Sequence, residues 1–131
     1  MDLLERRGHL TSTANPDKKL DYIVTLEGHL PNSHSHSRHI VLRYVPDRDV
    51  LDAKAFGAYL EALATDTWNT PEDLAVTVLT DINNEIVARW IQVSLRVPEL
   101  QHHAVQTHAV VIEDRQPGWD NAGLLSRLER I

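Results

Sequence analysis

The stretch NSHSHSRHIVLRYVP, residues 32 to 46, carries His34, His36 and His39 close together, with His29 just ahead of it. Imidazole is the commonest metal ligand and the side chain that titrates nearest neutral pH. In an extended segment His34 and His36 share one side, because alternate residues point the same way. Two or three such rings with a carboxylate would make a zinc site. The competing reading is a solvated polar loop in which histidine alternates with serine, since no helical histidine pair or standard ligand spacing accompanies the cluster. His102, His103 and His108 carry no motif and read as solvent-facing strand and turn residues. Lys54, close to Asp52, is suited to a phosphate, or is a solvated charge on a helix surface. Trp68, just ahead of Glu72, is suited to stacking on a heterocycle, or to packing in a chain with three tryptophans, three tyrosines and one phenylalanine.

Composition limits these chemistries further. The chain has no cysteine, so disulfides, thiolate metal sites and cysteine nucleophiles are all excluded from it. Acidic residues outnumber basic ones, 19 to 13, for a formal charge of −6, and the basic residues are scattered. Neither a stripe that tracks phosphates nor a patch drawn to membranes results, so nucleic acid and membrane are not expected partners. Five dispersed glycines form no phosphate-cradling loop. No apolar run approaches the roughly 20 residues that span a bilayer, and the first residues lack the apolar centre of a signal peptide. The expectation is a soluble, cytoplasmic protein.

The 131 residues suit one domain. Residues 1–18 lack periodicity and read as an arm, disordered or tied down by a neighbour. A domain follows over 19–115, and a tail over 116–131. Within the domain, residues 20–28 alternate, with Tyr22, Val24 and Leu26 on one face, and residues 39–45 alternate on Ile40, Leu42 and Tyr44, so a hairpin of two strands is expected. Residues 50–66 recur apolar at Phe56, Tyr59, Leu60 and Leu63, the spacing of an amphipathic helix. A second helix starts at Thr70, which can cap, followed by Pro71 and a capping-box Asp73, and runs to about Ile86. Residues 89–97 and 103–113 read as two more strands, and Leu124, Leu128 and Ile131 in the tail have helical spacing. The order β-β-α-α-β-β suits an α+β architecture, a four-stranded antiparallel sheet with two helices on one face. Its two open edges invite pairing with further copies.

That order and three segments resemble the tunnelling-fold (T-fold) family, and within it the NADPH-dependent 7-cyano-7-deazaguanine reductases, the nitrile reductases of queuosine biosynthesis. LRYVPDRDVLDAKAFGAYL (42–60) is similar to the family's tyrosine-proline turn and acid-x-lysine helix, NTPEDLAVTVLTDI (69–82) to the stretch with its ligand-anchoring glutamate, and ARWIQVSL (88–95) to its arginine-tryptophan strand. The resemblance implies Glu72 as the residue that pairs with the N–H and amino edge of a purine- or pterin-like ring. The plain alternative is that Glu72 serves the helix dipole. It also implies closure of several subunits into a barrel, hence a homo-oligomer larger than a dimer with ligand sites at subunit junctions.

The departures matter as much. The family's nucleophilic cysteine forms a covalent thioimide that NADPH reduces. In this chain ungapped counting puts His29 at that position, or Leu30 with one gap, and His36 at the position of the proton-donating aspartate. The later lysine of the helix motif is replaced by Gly57, and the proline-arginine-glycine-glycine signature is absent. Thiol-dependent reduction, and with it NADPH, is therefore disfavoured. Three expectations stand: a heterocycle binder using Glu72, Trp68 and Lys54; a metal- or histidine-assisted hydrolase using His29, His36 and Glu72, with zinc on His34 and His36; and a non-catalytic oligomeric structural protein.

Overall fold

Alternate residues of four strands turn the same way, and that alternation builds the sheet. The computed structural model describes residues 2–31, 38–98 and 102–128. Its elements, in chain order, are α1 (Leu3–Gly8), β1 (Ser12–Ala14), β2 (Val24–Leu30), β3 (Arg38–Val45), β4 (Asp49–Leu51), α2 (Ala53–Ala64), α3 (Pro71–Ile86), β5 (Trp90–Pro98), β6 (Thr107–Arg115) and α4 (Ala122–Leu125). The fold is α+β. β2, β3, β5 and β6 form one antiparallel sheet in that spatial order, and β1 pairs with β4 in a small second sheet. Among the described residues no helix is long and apolar enough to cross a membrane.

One face of the main sheet is the core. Register aligns Leu26, Leu42, Val93 and Ile112 in one row, and Val24, Tyr44 and Ile91 in the next. These side chains pack into a single cluster with Phe56, Tyr59, Leu60 and Leu63 of α2 and Leu74, Val78, Ile82 and Ile86 of α3. Burying each large aliphatic side chain contributes about 1.5–3 kcal/mol, so this face dominates the stability. Gly28 belongs to the same face: a Cβ there would lie 3.1 Å from Leu60 Cδ1, which shows how closely α2 lies over β2. The opposite face carries Thr25, Glu27, His29, His39, Arg43, Gln92 and Arg96, and no helix of the core cluster covers it.

The structure moves several expected boundaries. The first strand begins at Val24, not at residue 20, because the segment before it is held elsewhere. Arg89 donates to the carbonyls of Lys18 and Leu20, and the Tyr22 hydroxyl donates to the Asn15 side chain. The helix expected from residue 50 begins at Ala53, since Asp49, Val50 and Leu51 pair with β1 instead. The last strand is shifted to 107–115.

Residues 2–15 fold onto their own chain. Asp2 caps α1 by accepting from the Glu5 N–H, and Leu10 enters the core. Arg6 and Arg7 both reach the carboxylate of Asp81 on α3, which also accepts from the Tyr59 hydroxyl at 2.6 Å. At the other end of the chain, Trp119 and Asn121 donate to Asp21, which is ion-paired to Arg89 at 2.9 Å. The tail is thereby tied to the segment that precedes β2.

Candidate functional site

Thr70, Pro71 and Glu72 open α3 as the sequence pattern requires. The Thr70 hydroxyl accepts from the Asp73 N–H at 3.1 Å, and proline at the first helical position loses no hydrogen bond. This start leaves the Glu72 carboxylate outside the core, where it meets His108 of β6, with Nε2 2.9 Å from Oε2. The Glu72 backbone N–H at the helix terminus, and next the His108 ring, hold its carboxyl below the usual glutamate range. An ionised carboxylate only accepts, so Nε2 of His108 carries the proton in this contact.

His108 reaches Glu72 because of register. Val97 faces His108 across β5 and β6, and His39 faces Arg96 across β3 and β5. Arg38, next to His39, therefore lies in the same row as Leu30, Val97 and His108, at the end of the sheet overhung by the start of α3. The side chains of that row share the helix-covered face. The Nε of Arg38 is buried without a hydrogen-bond partner, and loss of hydration pulls its pKa down.

The other candidate residues fall elsewhere. Trp68 donates its indole N–H to the Leu63 carbonyl at 3.0 Å and packs against the core, so it closes the end of α2 in this structure. Lys54 is exposed in the first turn of α2. His29 pairs with His39 across β2 and β3, and His39 also contacts Glu27 at 2.8 Å. This puts His29 on the sheet face opposite α2 and α3, away from Glu72, and one chain does not bring the two together. His34 and His36 lie outside the described residues. Among the described residues no group of three His, Cys, Asp or Glu side chains is placed to hold a metal ion.

The sequence alone predicts a solvent-facing His108. It is half-buried and paired with Glu72 instead. The one sequence signal for this was its even spacing with the apolar Val110 and Ile112, which places it on the core-facing side of the strand. Arg38 likewise alternates with Ile40, Leu42 and Tyr44. Neither residue belongs to a motif.

No family model matches the chain, and no curated protein matches its sequence.

Proposed function

We propose that this chain is the subunit of a tunnelling-fold oligomer that binds a purine- or pterin-like heterocycle at a subunit junction, with Glu72 as the anchor. The observation that carries the reading is the Glu72 carboxylate, ionised, exposed at the first turn of α3 and already engaged with a hydrogen-bond donor. A carboxylate in that state accepts the paired N–H groups of a guanine-type edge, and charge-assisted bonds of this kind are about twice as strong as neutral ones. The spatial order β2-β3-β5-β6, with α2 and α3 between the two inner strands in sequence, supports the tunnelling-fold part of the reading. The absence of cysteine from the chain leaves no thiol to add to a nitrile, so the reading is binding without nitrile reduction.

Edge strands supply the assembly. β2 and β6 are the outer strands of the main sheet, and among the described residues neither pairs with a further strand, which leaves each edge open to another copy. A homo-oligomer larger than a dimer follows, and a mass in light scattering near 14.9 kDa would reject it.

The binding itself is tested by thermal shift and titration calorimetry with guanine, 7-deazaguanine derivatives and pterin. A ligand at about 100 times its Kd adds about 2.7 kcal/mol of stability. The expected result is a shift with at least one of these compounds that disappears in Glu72→Gln while the circular dichroism spectrum is unchanged. No shift with any compound, or a shift that survives Glu72→Gln, rejects the reading.

A further inference from the structure

Among the described residues Arg38 has no ion-pair partner, and its Nε is unsatisfied. That nitrogen is buried without a hydrogen-bond partner, and the residue's place beside Leu30 turns the side chain toward the helix-covered face. Taking a guanidinium even partly out of water is costly unless an acceptor meets it. Other charged groups of the fold follow that rule: Arg6 and Arg7 share Asp81, Arg89 holds Asp21, and Arg115 holds Glu113. Arg38 departs from it at the same end of the sheet where Glu72 and His108 meet.

The row geometry gives the departure a direction. Two strand spacings, about 10 Å, separate the Cα atoms of Arg38 and His108, and Val97 lies between them, packed against the core cluster. Arg38 is therefore not joined to Glu72. The two groups instead stand on either side of Val97, with an acceptor at one end and a forked donor at the other. A guanidinium matches the paired oxygens of a phosphate or carboxylate in a bidentate fashion.

We propose that Arg38 is a second ligand-contacting residue of the Glu72 site, and that the ligand is a heterocycle bearing an anionic oxygen group, phosphate or carboxylate, which Arg38 binds while Glu72 takes the N–H edge. The substrate class rests on the heterocycle reading above; the anion preference of Arg38 does not. Arg43 provides a contrast. Its Nη1 is also buried and unpaired, but it lies on the sheet face opposite α2 and α3, beside Thr25 and Gln92, and the carboxylate of its row, Glu113, already accepts from Trp90 and Arg115.

Matched probes test the proposal in the full chain. Guanosine is compared with guanosine 5′-monophosphate, and pterin with pterin-6-carboxylate, by calorimetry on the wild type, Arg38→Gln and Arg43→Gln. The anionic member of one pair is expected to bind about tenfold tighter, which corresponds to about 1.4 kcal/mol, and the pair that responds tells phosphate from carboxylate. The preference should vanish in Arg38→Gln and persist in Arg43→Gln. Equal affinity within both pairs, or a preference that survives Arg38→Gln, overturns the proposal. Inorganic phosphate has no N–H edge for Glu72 and probes Arg38 separately. It should move the Arg38 Nε–Hε nuclear magnetic resonance signal, a signal identified by its loss in Arg38→Gln. If no heterocycle binds, the reading of the site falls, and a signal unmoved by phosphate then overturns the Arg38 assignment as well.

Discussion

α3 carries two carboxylates that meet opposite fates. Asp81 is 1 % exposed and accepts from Arg6, Arg7 and Tyr59 at once. Glu72 is 58 % exposed and has His108 against one oxygen. At Asp81 burial pushes the carboxyl up, but hydrogen bonds from Arg6, Tyr59 and Arg7 outweigh it and hold the group below its ordinary value. Its acceptor capacity is used, and the product is a clamp that fastens α1 to α2 and α3. Tyr59 shows the reverse side of the same contact: burial, then the neighbouring Asp81, push its hydroxyl far above the usual tyrosine value, so it remains a donor. Glu72, by contrast, stays largely exposed beside its contact with His108. A buried carboxylate with all its partners inside the chain is structural; an exposed one at a helix terminus is available to a ligand. The pairing pattern, more than the residue type, separates the two roles.

The hardest blow to this contrast is Asp81→Asn. Removing one partner of a buried ionic network leaves uncompensated charge and costs about 3–5 kcal/mol. Urea denaturation should show a loss at the lower end of that range, because Arg6 and Arg7 can partly swing to water. A change under about 1 kcal/mol would mean that the clamp contributes no net stability.

Tyr59→Phe tests the same site more gently. It deletes a single hydrogen bond to a charged group, worth about 1.5–3 kcal/mol, and leaves both arginines in place. The expected loss is about 1.5 kcal/mol, and a loss equal to that of Asp81→Asn would show that the tyrosine, not the ion pairs, holds the clamp.

Acid titration follows next. The folded pKa of Asp81 is lowered from 3.8, so its contribution is fully present above that value and is lost as pH falls through the folded pKa. Wild-type stability should therefore fall below about pH 4, and the slope should be shallower in Asp81→Asn. Some slope remains in the variant, because Asp21 and Glu113 are also lowered. Identical slopes in the two proteins would mean that the Asp81 carboxyl titrates alike in the folded and unfolded chains.

The smallest effect on folding is expected from Glu72→Gln. Its carboxylate is exposed, so the urea midpoint should stay within the scatter of replicate measurements while binding is lost. A clear fall in the midpoint would place Glu72 with Asp81 among structural groups and end the comparison.

Much of the scaffold was legible in the residues. The start of α3 was clear because Thr70, Pro71 and Asp73 act on neighbouring backbone groups, and such local chemistry needs no tertiary partner. Period-two alternation marked the four strands, since the side chains of a strand must divide between a core face and an open one. Glu72 stood out through its motif resemblance. The N-terminal arm was harder to read. α1 is too short to be stable alone, and its docking depends on Arg6 and Arg7 meeting a carboxylate about 75 residues further along the chain.

Local patterning thus determined which segments are helix or strand and which faces are apolar, because capping, periodicity and turn propensity act over a few residues. Only the tertiary structure decided which polar groups meet. The antiparallel register set Arg38, Val97 and His108 in one row, and packing of α3 across β5 and β6 carried Glu72 to His108, 36 residues away. It also carried Asp81 to Arg6, Arg7 and Tyr59. These pairings join residues far apart in the chain, and their geometry exists only once the sheet has formed and the helices have closed over it.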